Sequence, residues 1–307
     1  MQEQGYQYYL NQKAVASYYL ELGNIIKAFE HYSNAYGTAF GSEDLDLLLE
    51  LAFLHDEMGQ SSKAIELFHE MVKLDPTFAT SYYGLATIYD NEESYEKAIF
   101  YYQKTIELEP DYEAAHFFLA NIYDELDDWD KAMHHYKKTI EIDPDYFFAY
   151  INLGCIYESN NKNLKAYHYF HKAHKLEPGN HMALFNLGVV CRKLGQTKEA
   201  AQYYQRAIQA NPEFPNAYLN LALIHKEVTK DYPASIQVYS EGVQHNPESS
   251  VLYYNRACCH ALLSNEDEAL ADLQRSIHLS PSLADYMRKD DELRDIREHP
   301  SLLKQEG

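Results

Sequence analysis

The sequence predicts an all-α protein built from a repeated pair of helices. Seven prolines recur along its 307 residues at intervals of 34, 34, 34, 34, 35 and 34 residues. A proline cannot continue a helix and pushes the residue before it towards extended backbone, so each one marks a break between helical segments. Between the breaks, small and bulky residues return at fixed positions. The prolines are Pro76, Pro110, Pro144, Pro178, Pro212, Pro247 and Pro281.

Three positions keep the same kind of residue when each repeat is numbered so that its proline is position 32. Positions 8 and 20 are small and position 24 is large. Small residues let the two antiparallel helices of one repeat approach, and burying each bulky side chain contributes about 1.5–3 kcal/mol. One pair of helices cannot bury its apolar faces alone, so the pairs are expected to stack. The residues are Ala52, Ala86, Ala120, Gly154, Gly188, Ala222 and Ala257 at position 8; Ala64, Ala98, Ala132, Ala166, Ala200, Ser235 and Ala269 at position 20; and Phe68, Tyr102, Tyr136, Phe170, Tyr204, Tyr239 and Leu273 at position 24.

Two places depart from the pattern. Position 7 is leucine in repeats one to six and Arg256 in repeat seven. Repeat six has one extra residue near Lys230–Tyr232, which we place in the turn between its two helices.

Both ends of the array are less regular than its middle. An upstream pair of helices is predicted at 9–42, where no proline follows, and Gly37 and Gly41 predict a loose junction to repeat one. After Pro281 a charged segment predicts a capping helix. Its apolar residues, Leu293, Ile296 and Leu302, are expected to cover the last repeat.

A period of 34 with these positions resembles the tetratricopeptide repeat (TPR). The resemblance covers nearly all of the chain. It implies a right-handed TPR superhelix, an α-solenoid of about eight helix-turn-helix repeats with a C-terminal capping helix. We therefore expect one domain, 1–307, with repeats at 9–42, 45–78, 79–112, 113–146, 147–180, 181–214, 215–249 and 250–283 and a cap at 284–307.

The charge of the chain is strongly negative and unevenly spread. The formal net charge is −21, which argues against a nucleic-acid binder that works by neutralising phosphates. Residues 1–150 carry 9 lysines, no arginine and 28 acidic residues, whereas residues 151–307 carry 17 basic and 19 acidic residues. The N-terminal half is therefore expected either to favour basic partners or simply to keep the protein soluble.

Cysteine usage and hydropathy bear on the compartment. The four cysteines, Cys155, Cys191, Cys258 and Cys259, show no CxxC spacing, and free thiols suit a reducing compartment. The N-terminus lacks a positive region followed by an apolar run, and no stretch of 18 apolar residues occurs. We expect a soluble cytoplasmic protein with no membrane insertion.

The sequence offers no motif for catalysis or for a cofactor. It has no glycine-rich phosphate loop, no GxSxG elbow and no Cys/His pair in a motif. His168, His171 and His174 have helical spacing, but the third drifts off the face of the first two, so packing is preferred to a metal site. No enzyme activity, cofactor or metal is predicted.

An asparagine recurs at position 6 of four successive repeats. Positions 2, 5, 6, 9, 12 and 13 of the first helix share the face opposite the core positions 4, 7, 8 and 11. In TPR proteins that face lines a concave groove, and an asparagine row there resembles superhelices that grip extended peptides. Each carboxamide can donate to and accept from a peptide backbone, whatever the peptide sequence. The alternative is that asparagine is common at this position and serves polar contacts between helices. The four are Asn152, Asn186, Asn220 and Asn255.

Apolar and basic residues flank this row. The apolar residues would choose the peptide side chains, although packing between neighbouring first helices is the competing explanation at positions 5 and 9. Arg192 and Lys193 form a basic patch beyond an acidic N-terminal stretch, which predicts a ligand of opposite polarity. The expected apolar contacts are Phe148, Ile151, Phe185, Leu219 and Tyr254.

These features predict a non-enzymatic scaffold or adaptor that binds an extended peptide or protein segment. Two alternatives stay open. One is a regulatory peptide receptor whose superhelix changes curvature on binding. The other is a structural protein that assembles with itself, so homo-oligomerisation is possible.

Overall fold

The computed structural model describes residues 2–303, and every regular element in that range is helical, as the sequence predicts. None of the described helices is long and apolar enough to span a membrane. The pairs of helices in chain order are α1 (Gln2–Glu21) and α2 (Ile25–Tyr36), α3 (Leu45–Glu57) and α4 (Ser61–Leu74), α5 (Ala79–Asn91) and α6 (Tyr95–Leu108), α7 (Glu113–Glu125) and α8 (Trp129–Ile142), α9 (Phe147–Ser159) and α10 (Asn163–Leu176), α11 (His181–Lys193) and α12 (Thr197–Ala210), α13 (Pro215–Leu223) and α14 (Tyr232–His245), and α15 (Ser250–Leu262) and α16 (Glu266–Leu279).

The helix boundaries follow the repeat numbering closely. The first helix of each of the seven repeats begins at the residue predicted as position 1, from Leu45 in α3 to Ser250 in α15. The turn between the two helices carries one residue in the left-handed conformation, with φ from 55° to 79°. At each of positions 8, 20 and 24, all seven residues are buried. The predicted contact between small and bulky positions is confirmed in Gly188, because a Cβ there would lie 2.5 Å from the Tyr204 ring.

The chain divides into two compact bodies, Met1–Ala149 and Tyr150–Gly307, with the boundary inside α9. In the first body, one apolar core runs from Tyr9 of α1 to Ile88 of α5. In the second, one core runs from Leu184 to Cys259 and another joins repeat seven to the C-terminal segment. The single solenoid domain remains a prediction.

The junction between the upstream pair and repeat one is tight, so the predicted loosening at Gly41 is wrong. Gly41 is buried at the start of a short 3-10 helix, Gly41–Glu43. A Cβ on Gly41 would lie 2.3 Å from the Ala35 carbonyl oxygen. The glycine is therefore required because the backbone of α2 passes directly against it.

The extra residue of repeat six lies in its first helix and not in the turn, which corrects the prediction. After α13 the chain continues as a π-helix, Ile224–Thr229. The left-handed turn residue, Lys230, comes one residue later than its equivalents, such as Gly195. A π-helix absorbs one inserted residue within a helical path. The insertion therefore places Lys226 within a π-helix.

The C-terminal segment covers repeat seven, but as short turns in place of one capping helix. It comprises α17 (Leu283–Met287), a 3-10 helix (Asp291–Leu293) and α18 (Pro300–Leu303). Leu293, Ile296 and Leu302 are buried in one core with α16 residues, as expected. The charged run between Met287 and Leu293 offers no apolar residue to a continuous helix, and Pro300 cannot continue one. The prediction for residues 304–307 lies outside the described residues.

Two histidines of repeat three, the buried His116 and the partly buried His135, form a pair. His116 Nδ1 and His135 Nδ1 lie 2.9 Å apart, and His116 Nε2 lies 3.1 Å from the Pro110 carbonyl oxygen. Since a carbonyl only accepts, His116 Nε2 carries its proton and His135 donates to His116 Nδ1. Burial lowers the pKa of both groups, to about 4 for His135, with the nearby charge of His134 acting in the same direction.

Stability should therefore fall as the pH drops from about 6.5 towards 4. In this window the unfolded chain takes up protons that folded His116 and His135 do not. This uptake lowers the free energy of unfolding by about 2 kcal/mol after allowance for screening. The variant His116→Tyr/His135→Tyr copies Tyr150 and Tyr169 of repeat four. The free energy of unfolding, measured with urea between pH 7 and pH 4.5, should fall less in this variant than in the native protein. Equal losses in both proteins would contradict the assignment.

Candidate functional site

The asparagine row lies on four successive first helices of the second body. Asn152, Asn186, Asn220 and Asn255 stand at equivalent positions of α9, α11, α13 and α15, and all four are partly exposed. We call the second-body residues at positions 2, 5, 6, 9, 12 and 13 of these helices, with the π-helix, the ladder face.

Two rungs have a defined orientation. The Asn220 amide donates to the Asn216 carbonyl oxygen and the Asn255 amide donates to the Val251 carbonyl oxygen, each at 2.9 Å. Each partner lies four residues earlier in the same helix. The bond holds the carboxamide against its own helix, and leaves its oxygen and second N–H for another group. In these two rungs, this bond stays within one helix and does not join two helices.

Packing explains why the row does not extend into repeats two and three. In repeat two, position 6 is Gly84, and a Cβ there would lie 2.2 Å from the tip of the buried Phe68 ring. In repeat three, position 6 is Phe118, whose ring stacks on Tyr102 at 6.3 Å. Position 6 in the first body thus packs against the position-24 ring of the preceding repeat.

The five predicted apolar contacts differ in exposure. Phe148, in the first body, is 49% exposed, and Phe185 and Leu219 are half-buried. Ile151 and Tyr254 are only 6% and 5% exposed, so the chain itself already covers them.

The ring of Phe185 shows the reason for this burial at position 5. It packs between Tyr204 and Phe214, with ring centroids 5.7 and 5.1 Å away. The Phe185 side chain at position 5 therefore contributes to packing within its own repeat.

The predicted basic patch is neutralised by ion pairs between repeats. Lys193 pairs with Glu158 of repeat four, and Arg192 Nη2 lies 2.5 Å from Glu227 Oε2 of repeat six. A ligand would therefore meet paired charges at these two cations, and part of their attraction is already satisfied.

The third cation of the ladder face pairs outside the repeats. Lys226, in the π-helix, is 8% exposed and forms an ion pair with Glu292 of the C-terminal segment. Burial, the largest single influence, would lower the pKa of Lys226, but the hydrogen bond to Glu292 and the nearby acidic groups together outweigh it, and the pKa is raised. The side chain is thus a buried ammonium held by one carboxylate.

A thiol and two carboxylates meet beside this lysine. Ligand atoms of Cys258, Asp290 and Glu292 lie within 4.8 Å of one another. Burial raises the pKa of the Cys258 thiol, so it stays protonated and points to Asp290 Oδ2 at 3.9 Å. The Lys226 ammonium already neutralises the charge of Glu292. The group is therefore arranged as donors facing carboxylates, and nothing in it calls for a metal ion.

The sequence did not reveal this contact between the C-terminal segment and the ladder face. Tyr254 donates from its hydroxyl to Asp290 Oδ2 at 2.7 Å, and its ring meets Tyr286 at 5.7 Å. The only signal in the sequence was the extra residue of repeat six, which puts Lys226 in a π-helix.

Comparison with protein-family models identifies the repeat. Three models, each described as tetratricopeptide repeat, match the chain: one at residues 79–112, 114–146 and 181–214, one at 135–168 and one at 46–77. The matched residues make up about half of the chain. A comparison with curated protein sequences found no match.

Three solved structures illustrate what the chain is similar to. A crystal structure of MamA is 29% identical, covers 53% of this chain and 95% of its own, and has a TM-score of 0.48. YrrB, described as a TPR protein with an unusual peptide-binding site, is 24% identical over 62% of this chain and 98% of its own, with a TM-score of 0.46. The Cut9–Hcn1 hetero-tetramer of APC/C is 18% identical over 89% of this chain and 52% of the matched chain, with a TM-score of 0.55.

Proposed function

The chain belongs to the tetratricopeptide repeat family, and from that premise we propose that it is a scaffold that binds an extended peptide segment along the ladder face. Repeats of this family generally serve as non-catalytic platforms for protein interaction. A cytoplasmic location is part of the proposal, and the four free thiols fit a reducing compartment.

The orientation of the rungs is the observation that carries this proposal. Asn220 and Asn255 each donate one amide N–H to a carbonyl oxygen of their own helix, and this bond holds the carboxamide oxygen in a fixed direction. A group held in its binding orientation loses less conformational entropy when a ligand arrives. An extended chain presents its N–H and C=O groups at regular intervals, so a row of fixed carboxamides suits peptide backbone.

Affinity and selectivity would come from different residues. Each amide contact contributes about 0.5–1.5 kcal/mol net, so the rungs alone give modest affinity. The half-buried Phe185 and Leu219 add apolar surface between rungs. The ligand is expected to place apolar side chains there and its backbone on Asn186 and Asn220.

Single-rung substitutions test the proposal. A peptide is first selected from a random-peptide phage library against the full chain, and its affinity is measured by fluorescence anisotropy. Asn186→Ala and Asn220→Ala should each weaken binding by about two- to tenfold, because each removes one backbone contact.

The control is Asn34→Ala, which removes an exposed amide from α2 and should leave the affinity unchanged. Thermal unfolding of each variant establishes that the fold is retained. If the selected peptide binds all four proteins equally, the asparagine row is not the binding site.

A further inference from the structure

The C-terminal segment reaches back across repeat seven to repeat six. Glu292 pairs with Lys226, which lies 66 residues earlier. In a stack of repeats each unit contacts only its neighbours, so a contact that passes over a whole repeat needs a segment that leaves the helical path. The chain does so after Met287, where α17 ends.

This segment lies on the ladder face itself. It covers Tyr254 and leaves beside it a cavity of about 500 Å³. Asn255, the last rung, lines that cavity together with Val251 from α15 and Leu283 from the segment. The last part of the proposed binding surface is therefore already occupied by the protein's own chain.

The contacts are those of a receptor for carboxylates. Three donors, the Lys226 ammonium, the Tyr254 hydroxyl and the Cys258 thiol, meet the two carboxylates of Asp290 and Glu292. Charge-assisted bonds of this kind are stronger than neutral ones, and the buried lysine would be costly to leave unpaired.

The two carboxylates lie on a short charged stretch between two buried residues. The backbone of Asp290 is extended, with φ −79° and ψ 119°, and its second oxygen accepts from the Glu292 amide at 2.9 Å. Met287 and Leu293 on either side are buried and anchor the segment. All five residues between these anchors are charged, so release of the stretch would uncover little apolar surface of its own.

We propose that Lys226, Tyr254 and Cys258 form a subsite for an acidic segment of a partner protein with two carboxylates two residues apart, and that Asp290 and Glu292 hold this subsite until the partner displaces them. The proposal rests on the proposed function, because the partner enters along the ladder face. It adds that the partner is acidic where it meets Lys226, Tyr254 and Cys258, at the C-terminal end of the ladder face. Arg192 and Lys193 are paired within the repeats, whereas Lys226 is paired with the displaceable segment.

The test uses a fluorescein-labelled peptide with the sequence of residues 283–295 as a probe of this chemistry. Its anisotropy is followed with the native full chain and with Asp290→Asn/Glu292→Gln, in which the internal carboxylates are removed. The variant should bind the peptide at least about tenfold more tightly, because it no longer competes. Adding Lys226→Gln should abolish the gain.

Two matched controls isolate the geometry from net charge. Asp291→Asn/Asp295→Asn removes two exposed carboxylates from the same segment and should bind like the native chain. A peptide with asparagine and glutamine in place of its two key acidic residues should not bind the variant. Equal affinities of the native chain and of Asp290→Asn/Glu292→Gln, or a gain that survives Lys226→Gln, would overturn the proposal.

A second measurement leaves both carboxylates in place. Tyr286→Trp, in a Trp129→Phe background, puts the one tryptophan next to Tyr254. Excess unlabelled acidic peptide should change its emission, and the neutral peptide should not. No change with the acidic peptide would contradict displacement.

The two proposals fail separately. If the library-selected peptide still depends on Asn186 and Asn220 while the acidic peptide does not bind, only this inference is lost. If neither peptide depends on the ladder face, the proposed function is lost as well.

Discussion

Replacing Arg256 by leucine is expected to lower the free energy of unfolding by about 3–5 kcal/mol, although leucine is the residue at this position in the other six repeats. Arg256 Nε and Nη2 each donate to a carboxylate oxygen of Asp272 at 2.7 Å, and Nη1 donates to Ser240 Oγ at 3.0 Å. The Asp272 side chain is only 9% exposed. Removing the guanidinium leaves this carboxylate buried without its cation, and that cost exceeds the gain from leucine packing.

The double variant Arg256→Leu/Asp272→Leu separates charge from packing. It copies repeat one, where Leu51 and Leu67 occupy the same two positions and are buried. We expect it to recover most of the lost stability, since apolar residues of similar volume replace buried ion pairs at little cost. Guanidinium unfolding of the native protein and of both variants gives the comparison. A single variant as stable as the native protein would show that the ion pair is not needed.

Introducing an asparagine rung into repeat two by Gly84→Asn should destabilise the protein by about 3 kcal/mol. A Cβ at Gly84 would lie 2.2 Å from the Phe68 ring, which is fully buried and cannot turn aside without moving its neighbours. Overpacking costs about 1–3 kcal/mol, and a carboxamide brought into this contact adds a desolvation cost.

Shortening the ring should relieve the strain. In Phe68→Leu/Gly84→Asn the side chain at position 84 gains space, so the double variant should be more stable than the sum of the two single changes predicts. The measurement is a double-mutant cycle by thermal unfolding. Simple additivity would mean that the ring does not limit the row to repeats four to seven.

The repeat itself could be predicted from the sequence because its determinants are local and recur seven times. A proline, a small residue and a bulky residue at fixed spacing act through backbone sterics and close packing. The first helices consequently begin where the numbering placed them, as at Leu45 and Ser250. The same numbering places the four asparagines at equivalent positions of four first helices, and the structure has them there.

Three features could not be predicted, each for a physical reason. The spacing between prolines is the same wherever an inserted residue sits, so the π-helix at 224–229 was assigned to a turn. The tight contact at Gly41 depends on the path of α2 backbone, which side-chain patterns do not report. The ion pair of Lys226 with Glu292 joins segments 66 residues apart with no periodic relation, and it also explains why Tyr254 is covered.

The most direct test of the central claim, that fixed carboxamides bind peptide backbone, compares two library-selected peptides of unrelated sequence. Each is titrated against the native chain, Asn186→Ala and Asn220→Ala. Because the rungs would contact groups common to all peptides, the fold-loss caused by each substitution should agree within about a factor of two between the peptides. A loss confined to one peptide, or to neither, would contradict the claim.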